Sequence, residues 1–291
     1  MSIATRTAMA GLLGWTLAQA PALAQAPQPP LWIVRDADST VYMVGTVHVM
    51  REGMDWRSTA LARAVAEAEA LWLEIPHLEA SEDLQALVMQ TGLSPDTPLS
   101  SLLTEAELAQ LEIILNRHEV TLDDFDAFRP WLAYIQISFL PLVQSGFDPE
   151  NGLDVQIKAQ ADERGIPVHG FETLEGQFGM LSGLPEQVQL DVLRHTIVNF
   201  EDIQADLRIQ LDSWIDGDLA PLEAENTKIA AELPEFYEVF FAGRNAGFVD
   251  GIEQILAGSG TVLVAVGLGH FAGPESIPAL LAERGHTVER R

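Results

Sequence analysis

The chain is 291 residues long, 47% hydrophobic and 20% charged, enough to bury a large core in one domain or two. Its 43 acidic residues against 16 basic ones leave a formal net charge of −27. That excludes nucleic acid as a partner, because phosphate binding needs a basic footprint. Cysteine is absent, so disulfides and thiolate metal sites are ruled out together, and any metal must be held by histidine and carboxylate.

The first thirty residues read as an export signal. Arg6 precedes an apolar run over residues 8–17, Ala22-Leu-Ala24 is an A-x-A cleavage site, and residues 25–30 form a Pro-rich spacer. The apolar run is too short to span a membrane, and no later stretch reaches about 18 apolar residues. The expectation is a signal peptide over 1–24 cleaved after Ala24, a spacer over 25–30, and a mature periplasmic or secreted protein with no transmembrane segment.

The mature chain opens with two β-runs, Leu31-Trp-Ile-Val-Arg35 and Thr40-Val-Tyr-Met-Val44, around Asp36-Ala-Asp-Ser39, a hairpin signature. The second run continues into Gly45-Thr-Val-His48. Ser58 then caps an Ala-rich helix, and Leu71-Trp-Leu-Glu74-Ile-Pro76 is a short strand stopped by proline. Strand, helix and strand in this order predict a βαβ unit with parallel pairing.

Helical patterns follow over residues 83–91, 104–118 and 131–143. Thr104-Glu-Ala-Glu107 is a capping box, and Pro130 stands at the first position of the third helix. Residues 153–164 form a helix ended by Gly165, and Ile166-Pro-Val-His-Gly-Phe171 is a strand with Glu172 at its end. Residues 174–256 are helical again, with breaks at Gly183-Leu-Pro185 and Leu233-Pro234. Then Thr261-Val-Leu-Val-Ala-Val-Gly-Leu-Gly-His270 repeats the earlier pattern, a β-branched strand closing in G-x-x-H. A last helix over 274–284 is capped by Gly285, and residues 286–289 make a final strand. The expected fold is one α/β domain over 31–291. Its mixed central sheet carries both G-x-x-H strands near the middle, helices flank it, and helical insertions at about 80–147 and 174–256 cap the site.

His48, Glu74, Glu172 and His270 share one address, the carboxyl end of a predicted strand, which is where open α/β sheets bind ligands. Two imidazoles and one or two carboxylates suit a divalent first-row ion such as Mn, Fe, Co or Zn. Such an ion supports hydrolysis by polarising a carbonyl and acidifying a bound water, and an uncoordinated carboxylate then serves as general base. Glu74 is the sole charge in its strand; Glu172 could instead cap the next helix. His77 is a reserve candidate. His169 reads as a core residue, His118 and His195 as packing or surface residues, and His286 has no evident partner. Arg129, among Phe125, Phe128 and Trp131, either orients Glu74 or a substrate carboxylate or packs its stem on the rings. Arg244-Asn245 poses the same choice. Phe236, Tyr237, Phe240, Phe241 and Phe248 recur at helical spacing and read as core.

Taken together, V-Y-M-V-G-T-V-H (41–48), L-W-L-E-I (71–75), F-R-P-W (128–131), G-L-D (152–154), G-F-E-T-L-E-G-Q (170–177), R-N (244–245), V-G-L-G-H-F-A-G (266–273) and L-L-A-E-R-G-H-T-V (280–288) resemble the TraB/PrgY/GumN family, which includes the Tiki metalloproteases. The likeness runs from about residue 31 to 290 with the motifs in order. It implies a metal-dependent site with His48, His270 and Glu74 holding Mn, Co or Zn, and Arg129 and Glu172 as further motif residues. In the Tiki branch that site cleaves peptides. The expected function is therefore an exported metal-dependent hydrolase acting on a peptide or small-molecule substrate. The rival readings are a non-catalytic binder of a peptide or small ligand and an envelope-associated regulatory protein with a vestigial site.

Overall fold

The structure, a computed structural model, describes residues 27–76, 82–144 and 146–291. The expected signal peptide and His77 lie outside the described residues. Six strands form one sheet: β1 Leu31–Arg35, β2 Ser39–Thr46, β3 Ala70–Leu73, β4 Val168–Gly170, β5 Gly260–Gly267 and β6 Val288–Arg290. Their order is β4-β3-β5-β2-β1-β6. β2, β3, β4 and β5 pair in parallel, and β1 pairs antiparallel with both β2 and β6. The architecture is α/β with a mixed sheet, as the sequence predicts.

The hairpin between β1 and β2 closes because the Asp36 carboxylate accepts from the N–H groups of Asp38 (3.2 Å) and Ser39 (2.7 Å). β2 is buried along almost its whole length, and β5 along its last five residues. Helices cover both faces there, which is why these strands read as continuous apolar runs rather than as alternation. They are the two central strands, paired from Ser39↔Gly260 to Thr46↔Gly267. One expectation needs correcting. β2 and β3 are the parallel strands of the predicted βαβ unit, yet they are not neighbours, because β5 inserts between them from more than 180 residues away.

Local signals place the helices. In α1 (Thr59–Glu67) the Ser58 hydroxyl accepts from the Leu61 N–H. Its far end is held by Arg164, which donates to the carbonyls of Val65, Ala66 (3.0 Å) and Ala68 (2.7 Å), groups a helix terminus otherwise leaves unpaired. Arg164 closes α6 (Leu153–Arg164), which Gly165 ends in the left-handed region (φ 67°).

The first insertion folds as α2 (Glu82–Gly92), α3 (Glu105–Arg117, with its capping box), α4 (Leu122–Phe125) and α5 (Pro130–Gln144). The second folds as α7 (Leu174–Gly183), α8 (Glu186–Val198), α9 (Ile203–Asp216), α10 (Ala220–Glu232), α11 (Pro234–Tyr237) and α12 (Gly243–Leu256). Breaks not anticipated from sequence occur at Asn199 and at Gly217, the latter left-handed with φ 71°. α13 (Ile277–Glu283) follows β5.

Two apolar clusters hold the insertions together away from the sheet. One centres on Leu111, Leu115, Phe125, Ile137 and Leu193, the other on Trp131, Leu132, Leu181, Val192 and Phe236. α9 ties this layer to the sheet through Trp214, which is fully buried in the sheet core. Its indole N–H donates to the Gly45 carbonyl at 3.2 Å. No helix among the described residues is long and apolar enough to cross a membrane.

Candidate functional site

β2, β5, β3 and β4 deliver their carboxyl ends to one edge of the sheet, and the four residues expected there arrive together. His48 follows β2, Glu74 follows β3, Glu172 lies two residues beyond β4, and His270 sits in a 3-10 turn (Leu268–Phe271) after β5. Glu74 is the hub. Its Oε1 accepts from the Gly267 N–H at 2.6 Å and lies 3.8 Å from His270 Nε2 and 4.0 Å from His48 Nε2. Its Oε2 accepts from Arg244 Nη2 at 2.7 Å and from Gln177 Nε2 at 3.1 Å.

Close approach explains the first glycine of each G-x-x-H. A Cβ on Gly45 would fall 2.4 Å from Leu268 Cδ1 and 3.2 Å from its Cα; one on Gly267 would fall 2.9 Å from Glu74 Oε1 and 3.0 Å from His48 Nε2. Gly267 thus keeps open the corner where ring and carboxylate meet. Gly267→Ala is expected to push His48 and Glu74 apart, leave overall helicity unchanged, and weaken any ligand bound there by tenfold or more. Titration of that ligand beside a circular dichroism spectrum checks it.

Each imidazole is oriented by its other nitrogen. His48 Nδ1 lies 3.2 Å from Asp154 Oδ2 at the start of α6, and His270 Nδ1 lies 2.7 Å from Asn245 Oδ1 on α12. A carboxylate and an amide oxygen only accept, so both Nδ1 atoms carry hydrogen at these contacts. His270 is buried and neutral. Burial and the neighbouring Arg244 charge hold its pKa down to about 3 against the pull of Glu74, and its Nε2 accepts from Arg244 Nη1 at 3.1 Å. For His48, desolvation opposes the charged ring, but Asp154 and Glu74 outweigh it and push the pKa up to about 9. With 57% of that side chain facing solvent, water screens part of the shift. Burial alone would raise the Glu74 carboxyl, yet the charges of His48 and Arg244, with the Gly267 N–H, hold it well below the ordinary carboxylate range. It is therefore ionised.

Arg244 is the residue whose importance spacing left open. Its side chain is 7% exposed, and all its N–H directions are used: Nε to Glu172 Oε1 (2.9 Å), Nη2 to Glu74 and to Glu172 Oε2 (2.8 Å), Nη1 to His270 and to the Phe240 carbonyl (3.3 Å). Phe248 and Phe240 flank the guanidinium at 5.3 and 5.7 Å. A π-helical turn, Glu238–Ala242, immediately precedes α12, and such turns are frequent at functional sites. Gln177 on α7 bridges the two glutamates, reaching Glu172 Oε2 at 2.9 Å. Asp154, Gln177 and Asn245 each belong to a motif quoted above, but nothing in their spacing assigned them a task.

The structure does not bring Arg129 to this cluster. Arg129 is exposed and lines a separate cavity of about 170 Å³ with Glu186 and Gln189; the guanidinium beside Glu74 is that of Arg244. Arg129 stands immediately before the helix that Pro130 starts. Two histidine expectations also change. His169 is exposed, because β4 is an edge strand, and lies against Trp72 (5.0 Å). His286 does have a partner, Glu253 at 2.9 Å.

A cavity of about 790 Å³ opens from the cluster, with Thr46, His48, Glu74 and Gln177 at one end. Phe139 and Leu174 supply apolar wall, and Glu150, Asp154, Lys158 and Asp162 a mostly acidic one. The Thr46 hydroxyl is buried without a hydrogen-bond partner among the described residues. The donors suit a divalent ion chemically: two oriented imidazoles with Nε2 facing one ionised carboxylate, in a corner a Cβ would fill. As the side chains stand, no group of three or more His, Asp or Glu among the described residues is set to hold a metal ion.

The TraB/PrgY/gumN family model matches residues 30–290. A curated protein of Treponema pallidum (strain Nichols), described as uncharacterized, is 22% identical over 285 residues, spanning 91% of this chain and 83% of that one. No solved structure matches significantly.

Proposed function

Because the chain belongs to the TraB/PrgY/gumN family, we propose that it is an exported metal-dependent hydrolase that cleaves a peptide bond. The observation that carries this reading is the meeting of His48, Glu74 and His270 at the carboxyl ends of adjacent parallel strands, beside a cavity of about 790 Å³.

His48 Nε2, His270 Nε2 and Glu74 Oε1 would hold the ion, Mn, Co or Zn. When bound, it supplies Lewis acidity toward a carbonyl and a water ionised near neutral pH. The chain's own residues do the rest. Asp154 and Asn245 fix the rings so that each directs Nε2 inward. Glu74, ionised and facing the cavity, is ligand or general base. Glu172 supports it by holding Arg244 and Gln177 in place. Phe139 and Leu174 give one side of the cavity an apolar wall.

A second reading has a specific observation in its favour. Glu74 and His270 already have protein donors from Arg244, as suits a site that binds a ligand without turning it over. One experiment separates the two. The purified mature chain is compared with His48→Ala/His270→Ala by elemental analysis and by turnover of a fluorogenic peptide library supplied with Mn²⁺ or Co²⁺. A hydrolase carries roughly one ion per wild-type chain, loses it in the double variant, and loses turnover with it. Peptide affinity indifferent to metal, without cleavage, establishes the binder instead.

A further inference from the structure

We propose that Arg244 is an exchangeable cation of this site. In the absence of metal it holds His270 and Glu74, and it gives them up to a divalent ion by withdrawing with Glu172 toward a second cavity behind them. The inference rests on the metal reading above and adds what controls metal entry.

Three independent observations carry it. The first is competition for one lone pair. His270 Nε2, a candidate ligand, accepts from Arg244 Nη1 at 3.1 Å, and the same guanidinium holds Glu74 beside it through Nη2 and the non-ligating Oε2 at 2.7 Å. A lone pair that accepts from Arg244 cannot also coordinate, and a divalent ion beside a fixed guanidinium meets strong repulsion in a site of low polarity. This also accounts for the lack of a ready-made three-donor group.

The second is room. Arg244 and Glu172 bond Glu74 and Gln177 on one side and line a separate space on another. Glu74 and Gln177 face the large cavity, while Glu172 and Arg244 line another of about 360 Å³ with Met180, Val239 and Gly247. A Cβ on Gly247 would meet nothing within 4 Å, so the space beside the Arg244 stem is open.

The third is an anchor and a hinge. Arg244 can release His270 and Glu74 while its Nε bonds to Glu172 (2.9 and 3.2 Å) persist, so its charge is never left unpaired. Its backbone follows the π-helical turn Glu238–Ala242, where hydrogen bonding is already out of α-register and a small adjustment breaks little. A buried ion pair kept only for stability needs neither second cavity nor π-turn.

The test is Mn²⁺ titration by calorimetry on metal-stripped wild type and Arg244→Met, each with a melting curve. Methionine keeps the stem between Phe240 and Phe248 and removes the charge. The expected result is Mn²⁺ binding roughly ten- to hundredfold tighter in the variant, since one repelling charge is gone. Its metal-free Tm should fall below wild type, with a larger Mn²⁺-induced rise. Equal or weaker Mn²⁺ binding by a folded variant, beside a wild type that binds, overturns the proposal and leaves the metal reading standing. No Mn²⁺ uptake by either protein overturns both. Should Arg244→Met not fold, Arg244→Lys serves. A lysine cannot hold His270 and both glutamates at once, so its affinity should shift the same way by a smaller factor.

Discussion

Glu74→Ala is expected to lower stability by about 3–5 kcal/mol, the usual cost of breaking a buried ion pair by removing one partner, and, under the metal-dependent reading proposed above, to abolish metal uptake. The Glu74 side chain is 11% exposed and receives three hydrogen bonds, from Arg244, Gln177 and Gly267. With it gone, the Gly267 N–H loses its acceptor, and Arg244 and Gln177 keep only Glu172 for their carboxylate contacts. Orphaned buried donors cost more than an intact bond contributes. Glu74→Gln separates the two effects. It preserves shape and leaves an oxygen for Gly267, so stability should recover in part, while the missing charge still prevents metal binding. Urea denaturation and elemental analysis of both variants provide the check. A Glu74→Ala protein as stable as wild type within about 0.5 kcal/mol would contradict the hub role of this carboxylate.

The second large effect is expected far from any charge. Trp214→Ala empties a fully buried site in the sheet core, which costs about 3–5 kcal/mol for a buried aromatic. It also strands the Gly45 carbonyl, which the indole N–H reaches at 3.2 Å, adding about 1–3 kcal/mol for an unsatisfied buried group. Gly45 opens the first G-x-x-H, so the damage should spread to His48. A melting temperature lower by ten degrees or more is anticipated from about 2–4 °C per kcal/mol in a chain of this size, together with loss of any ligand bound at His48. Trp214→Phe refills most of the volume and lacks only the donor, so it should fall between the two. Equal melting temperatures for Trp214→Phe and wild type would show that the bond to Gly45 adds nothing.

Much of the site is legible in the sequence because it rests on local signals. A β-branched run ending in Gly, then His three residues on, locates the end of a strand without reference to anything distant. Glu74 stands out as the one charge in an apolar segment closed by Pro76. The caps at Ser58, Thr104 and Gly165 are likewise local, and their helices start or stop where those residues say. These features depend on φ/ψ preference and nearest-neighbour hydrogen bonds, both of which a short stretch of chain determines by itself.

What the tertiary structure alone decided is which distant groups meet. Arg129 and Arg244 present the same kind of signal, an arginine among aromatics, and only the packing of α12 against the sheet brings Arg244 to Glu74, 170 residues away. The π-helical turn before it leaves no trace in apolar spacing. β5 entering between β2 and β3, Asp154 reaching His48 and Gln177 reaching Glu74 are all long-range contacts. Such contacts are paid for by burial of whole apolar faces rather than by any residue's own preference. The chain's sequence therefore determined what chemistry stands at each strand end, while the order of the strands decided which of those groups share one site.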